Sequence, residues 1–165
     1  MKIAVYTDGS CRYNPGPGGW GYVIVNNGRV VAEKSMPLFR STNNRAEILA
    51  VINALAKLSQ DPKLAKQSDL IIYTDSLYVA NPINKGWLTE WVKTDFAGKK
   101  NKNYWLLLRS LMTKFKSCTF RWVKGHKQCK YNNRADELAY EASNKAIARI
   151  KRETKDRLCS CELGK

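Results

Sequence analysis

The stretch Ile3-Ala4-Val5-Tyr6-Thr7-Asp8-Gly9-Ser10 is a short apolar, β-branched run that stops at a carboxylate and a glycine. It is predicted to be a buried central strand. Reactive groups in open α/β sheets stand just past the carboxyl ends of the strands, which places Asp8 at the sheet's rim. The pattern returns at Ile71-Ile72-Tyr73-Thr74-Asp75-Ser76. If the two strands are parallel neighbours, Asp8 and Asp75 stand side by side, an arrangement that repels itself unless a cation joins it.

Working outward, Asn14-Pro15-Gly16-Pro17-Gly18-Gly19 is a turn-rich loop. Trp20–Val25 and Val30–Met36 read as strands joined by the hairpin signal Asn26-Asn27-Gly28, so the chain opens as a three-strand antiparallel meander. Ser41-Thr42-Asn43-Asn44 then opens a helix whose apolar residues Ile48, Leu49, Ile52, Leu55 and Ala56 recur at helical spacing. Glu47 is placed in its first turn, where the capping-box spacing from Asn44 and the helix dipole give an acid a purely structural reason to be.

Asp61-Pro62 breaks the chain before a second parallel strand, Leu70–Thr74, and a short helix from Ser76 is expected to end or kink by Pro82. From Ile83 to Trp105 the sequence interleaves Trp87, Trp91, Phe96, Tyr104 and Trp105 with Lys85, Lys93, Lys99, Lys100 and Lys102. Cations beside aromatic rings suit phosphate backbones, with some of these rings left to fill the core. A helix over 103–115, a last parallel strand over 119–123, the loop Lys124-Gly125-His126-Lys127 with the only histidine, and a helix from about Asn133 follow. Beyond Lys151 the sequence is polar, mixed in charge and expected to fray. The fold class expected is α/β: a mixed five-stranded sheet, three antiparallel strands then two parallel, with helices on both faces. It forms one domain over residues 1–150, followed by a polar, flexible tail over 151–165.

The chain has 165 residues, with 29 lysines and arginines against 14 acids and a net charge of +15. A balance this basic points to a polyanion such as nucleic acid, although a solubilising surface would also produce it. Five cysteines, an odd number without paired metal spacing, suggest neither a disulfide framework nor a zinc site. The N-terminus enters a strand at once, and no run reaches the ~18 apolar residues of a membrane helix. A cytoplasmic monomer with no membrane association is expected.

Asp8, Glu47, Asp75 and Asp136 all fall at strand ends or helix starts. If those ends meet, four carboxylates share a basic groove, a hard-oxygen set suited to Mg²⁺, with Mn²⁺ as substitute. Two such ions about 3.5–4 Å apart can stabilise both the attacking and the leaving oxygen in phosphodiester cleavage. His126, on a loop nearby, could move protons near neutral pH.

The ordered set Tyr6-Thr7-Asp8-Gly9-Ser10, Asn14 to Gly21, Thr42-Asn43-Asn44-Arg45-Ala46-Glu47, Tyr73-Thr74-Asp75-Ser76, Val123-Lys124-Gly125-His126 and Asn133-Arg134-Ala135-Asp136-Glu137-Leu138-Ala139 resembles the bacterial type 1 ribonuclease H family. Each motif alone is weak, but together they run in order from about Ile3 to Ala142. The resemblance implies an endoribonuclease that hydrolyses the RNA strand of RNA–DNA hybrids with two divalent ions, leaving 5′-phosphate and 3′-hydroxyl ends. By position it makes Asp8, Glu47, Asp75 and Asp136 metal ligands and gives His126 a part in proton transfer or product release. It assigns Asn14 and Asn43 or Asn44 to ribose 2′-hydroxyls, Thr42, Asn43 and Arg45 to a DNA-strand phosphate, and Trp87 to the DNA strand. Leu77 stands where many relatives carry a glutamine that touches the RNA strand. Two other readings keep part of this picture: a related fold acting on DNA alone, and a hybrid-binding module without catalysis.

Overall fold

The computed structural model describes residues 1–124 and 129–162. The elements run β1 (Lys2–Cys11), β2 (Gly16–Asn26), β3 (Arg29–Ser41), α1 (Asn43–Leu58), α2 (Pro62–Gln67), β4 (Asp69–Thr74), α3 (Leu77–Asn84), α4 (Trp87–Lys93), α5 (Lys102–Met112), β5 (Ser117–Trp122) and α6 (Lys130–Glu162). The sheet order is β3-β2-β1-β4-β5, with β1–β2 and β2–β3 antiparallel and β1–β4 and β4–β5 parallel. This is the expected mixed sheet, with the strand bearing Asp8 at its centre.

Alternation along β1 explains why both faces need helices. Ile3 and Val5 join the larger core, where Ile48, Val51 and Leu55 of α1 and Trp105, Leu108 and Leu111 of α5 pack. Ala4 and Tyr6 face the other way, onto Ala135 and Leu138 of α6 with Val23 and Val25 of β2. A strand flanked by helices on both sides has no solvated face, which accounts for its unbroken apolar reading.

Several boundaries differ from the sequence expectation for local reasons. Thr42 caps α1, its Oγ1 accepting from the Arg45 N–H at 3.2 Å, so the helix starts before Asn44 and Glu47 lies past its first turn. Dipole and capping therefore do not explain Glu47. Likewise α6 begins at Lys130, which moves Asp136 out of the first turn. Helix α3 passes Pro82, which removes one N–H donor, and the Lys85 N–H still donates to the Asn81 carbonyl at 2.9 Å, so the helix ends at Asn84. Residues 151–162, expected to fray, continue α6: they contain neither glycine nor proline, and the i,i+4 pair Arg149–Glu153 at 2.9 Å supports the helix.

Candidate active site

The parallel register between β1 and β4 pairs Val5 with Ile72 and Tyr6 with Tyr73. Continued by two residues, it sets Asp8 opposite Asp75, as their matching strand-end motifs predict. The strands part here: Trp122 Nε1 donates to the Asp75 carbonyl at 2.9 Å, and the Ser76 N–H donates to Thr74 Oγ1 at 3.1 Å, turning the chain into α3.

Glu47 arrives from α1, and what brings it in is Gly9. A Cβ at Gly9 would collide with the backbone of Ala46 and Glu47, so strand and helix touch backbone to backbone. A matching contact on the opposite face brings in Asp136. A Cβ on Gly21, the antiparallel partner of Asp8, would stand 2.6 Å from Leu138 Cβ and 2.8 Å from the Ala135 carbonyl. Helix α6 is thereby drawn against β2 beside Asp8.

One carboxylate oxygen from each of Asp8, Glu47 and Asp75 lies within 4.8 Å of the others. Asp136 is not part of that tight group but lies within hydrogen-bonding reach of Asp8. Burial first, then the Asp75 charge and the Asp136 carboxyl, push the Asp8 pKa up to about 8, against a smaller opposing effect of the Gly9 backbone. Burial likewise holds Glu47 well above the ordinary carboxylate range, with the Asp8 and Asp75 charges adding to it.

Glu47 Oε2 is fully buried and makes no hydrogen bond among the described residues. A buried acceptor without a donor is costly in a folded protein, and a hard cation is the partner it fits. Three oxygens this close, on residues that include the one with the orphaned acceptor, form a donor set suited to Mg²⁺ or Mn²⁺. The nearby Asp136 could add to it.

At the start of α1, the helix that carries Glu47, lies a basic cavity of about 560 Å³, lined among others by Asn14, Thr42, Asn44, Arg45, Lys99 and Lys100. The Asn14 Oδ1 accepts from the Asn43 N–H at 3.1 Å, joining the β1–β2 loop to the start of α1. Arg45 Nε donates to Asn101 Oδ1 at 3.0 Å, and Asn101 Nδ2 donates to the Tyr78 hydroxyl at 2.9 Å. Thus Asn14, Thr42, Asn43, Asn44 and Arg45 gather at one place. Lys99 and Lys100 belong to the stretch of cations and aromatics that suits phosphate backbones, whereas Asn101 was not singled out from the sequence. Its signal was the turn Gly98-Lys99-Lys100-Asn101, in which Gly98 and Asn101 both take positive φ.

The aromatic segment divides. Phe96 and Trp105 are buried, and Trp91 packs edge-on against Trp105 with 5.6 Å between centroids. Trp87 is 42% exposed at the start of α4, with Lys85 Nζ 5.1 Å from its ring centroid. Leu77, in the position often held by glutamine, is exposed. His126 lies outside the described residues. No helix among the described residues is long and apolar enough to cross a membrane.

Comparison with known proteins agrees with this geometry. The RNase H family model matches residues 1–144. A ribonuclease H from Francisella philomiragia is 44% identical over 154 residues, covering 90% of this chain and 93% of its own. One from Chlorobium phaeobacteroides strain BS1 is 41% identical over 146 residues, covering 86% and 94%. Among solved structures, the N-terminal RNase H domain of a Mycobacterium tuberculosis protein superposes with a TM-score of 0.75 at 26% identity, covering 91% of this chain and 99% of that one. LC11-RNase H1 in complex with an RNA/DNA hybrid superposes with a TM-score of 0.71 at 28% identity, covering 88% and 99%. Fold and relatives together define a hydrolase of the endoribonuclease class. The chain belongs to the ribonuclease H family.

Proposed function

We propose that this protein hydrolyses the RNA strand of an RNA–DNA hybrid, using two divalent ions, Mg²⁺ with Mn²⁺ as substitute, and leaving 5′-phosphate and 3′-hydroxyl ends. The observation that carries it is the convergence of Asp8, Glu47 and Asp75, of which Glu47 keeps a buried, unpartnered Oε2, in a chain of net charge +15. A pocket so acidic inside so basic a protein favours a cation beneath a bound polyanion. The LC11 relative in complex with an RNA/DNA hybrid supports the substrate class.

Asp8, Glu47, Asp75 and Asp136 would hold the ions. When bound, these would lower the pKa of the attacking water and offset charge on the scissile phosphate. The chain's own residues supply position. Arg45, Thr42 and Asn101, with Lys99 and Lys100 beside them, would hold a phosphate of the DNA strand, a guanidinium suiting its fork of oxygens. Asn14 and Asn43 or Asn44 would read ribose 2′-hydroxyls, the group that separates RNA from DNA. Trp87 would rest against the DNA strand, and His126 would pass a proton or assist product release.

End-labelled RNA–DNA hybrid, duplex RNA, duplex DNA and single-stranded RNA, each with Mg²⁺ or EDTA, test this on one gel. Metal-dependent cutting of RNA in the hybrid alone is expected. Cutting of duplex DNA would move the assignment to a DNA-acting relative of the fold. Tight hybrid binding without cutting in Mg²⁺ or Mn²⁺ would leave a binding module.

A further inference from the structure

Helix α6 runs well past the end of the family match at residue 144, and residues 151–157 are all exposed. Over 145–157 it carries Lys145, Arg149, Lys151, Arg152, Lys155 and Arg157 against only Glu153 and Asp156. At about 100° per residue these cations spread around most of the helix, but two of them, Lys151 and Lys155, share one side with Asp136, Tyr140, Asn144 and Ile147. Residues 136, 140, 144, 147, 151 and 155 recur every three or four positions and so line one side of the helix.

Contacts fix where that side faces. At its start Asp136 reaches Asp8. One turn on, the Arg12 guanidinium lies 5.1 Å from the Tyr140 ring centroid, and Arg12 Nη2 donates to Asn144 Oδ1 at 3.2 Å. Arg12 belongs to the loop between β1 and β2 that also carries Asn14. The stripe therefore leaves the carboxylate cluster, passes the substrate loop and continues into Lys151 and Lys155. Both acids of the extension point elsewhere: Glu153 is paired with Arg149, whose guanidinium lies over the Phe39 ring of β3, and Asp156 is turned at least 100° from Lys151 and Lys155.

We infer that the C-terminal part of α6 is a second nucleic-acid arm, in which Lys151 and Lys155, in line with Arg12, contact the phosphate backbone of the substrate on the far side of the Asn14 loop from α4. It rests on the hybrid substrate proposed above. Fifteen residues of helix separate Asp136 from Lys151, about 22 Å, so the arm meets a duplex about 7 base pairs from the cut. Hydrolysis itself needs no such contact. The arm adds affinity for long duplexes over short ones.

Two double variants of equal charge change separate this from a general charge effect: Lys151→Glu/Lys155→Glu on the stripe, and Lys145→Glu/Arg152→Glu away from it. All four residues are exposed, and circular dichroism with a melting curve verifies the fold. Hybrid binding is measured in EDTA across a salt series, and KM in Mg²⁺, with hybrids of about 24 and about 8 base pairs. The stripe variant is expected to weaken binding to the long hybrid about tenfold and to reduce the slope of log K against log salt by about 2. It should leave the short hybrid within about twofold, and the second variant should stay within about twofold on both. Equal losses from both pairs, no loss from the stripe pair, or the same loss on both lengths would overturn the arm. Should the unaltered protein fail to bind or cut any hybrid, the substrate reading fails instead.

Discussion

A side chain on Gly9 would collide with the backbone nitrogen of Glu47: the strand that carries Asp8 and the helix that carries Glu47 meet with no side chain between them. Gly9→Ala is therefore expected to push α1 away from β1 at the point where the two carboxyls approach. Overpacking there should cost about 1–3 kcal/mol, and displacement of a ligand by about 1 Å should lower kcat at least 100-fold. Urea unfolding and steady-state cleavage check both numbers. A variant with unchanged kcat would mean that Glu47 does not need this close approach.

The same crowding makes the metal-free site a source of instability that depends on pH. The native Asp8 carboxyl keeps its proton up to about pH 8, whereas in the unfolded chain it loses it near 3.8. The native state thus binds the extra proton in between, so this group's contribution is fully present below about pH 4 and is lost as pH rises to about 8. Asp8→Asn should abolish cleavage. In EDTA near pH 8 it should raise Tm by roughly 4–8 °C, about 2 kcal/mol, with the gain shrinking toward pH 4. Mg²⁺ should stabilise the unaltered protein and do much less for the variant. Melting curves across that pH range, with and without Mg²⁺, decide it.

How much of this could be read from the chain follows from the range of each signal. Asp8 and Asp75 were legible because strand ends and hydrophobic runs are local, and the parallel register does the rest. The place of Glu47 and Asp136 was legible only through the family motifs. By spacing alone both pass for helix-start acids, yet neither lies in a first turn. What holds them in place is contact of α1 with Gly9 and of α6 with Gly21, tertiary packing that periodicity does not encode. The basic pocket was half legible: Thr42 and Arg45 sit in a motif, whereas Lys99, Lys100 and Asn101 join them through the turn before α5.

Arg134 fastens the helix that carries Asp136. Its Nε and Nη2 donate to the two carboxylate oxygens of Glu33 at 3.1 and 2.8 Å, tying α6 to edge strand β3. The Arg134 hydrogen bonds hold the Glu33 pKa below its ordinary value of 4.5. The pair's stabilisation is accordingly present above that pH and lost as pH falls through the lowered native value. Both groups are about a third exposed, so a double-mutant cycle of Arg134→Ala and Glu33→Ala should give a coupling of about 0.5–1 kcal/mol at pH 7 and close to zero at pH 3. A coupling that does not change with pH would rule out the carboxylate as its origin.

Two tryptophans from the same aromatic and basic segment should respond in opposite ways. Trp105 is fully buried, and its Nε1 donates to the Tyr78 hydroxyl at 3.1 Å. Trp105→Ala should cost about 3–5 kcal/mol through the cavity and the lost bond, enough to threaten folding at 37 °C. Trp87 is 42% exposed with Lys85 over its ring, and Trp87→Ala should leave stability within about 0.5 kcal/mol. If the exposed indole rests on the DNA strand of a bound hybrid, its loss should raise KM about 5–20-fold, the lower part of the range for one stacked contact, and change kcat little. Steady-state kinetics alongside urea unfolding of both variants separates the roles. A Trp87→Ala enzyme with normal KM would mean the ring is bare surface, and the interleaved lysines would then bind phosphate by charge alone.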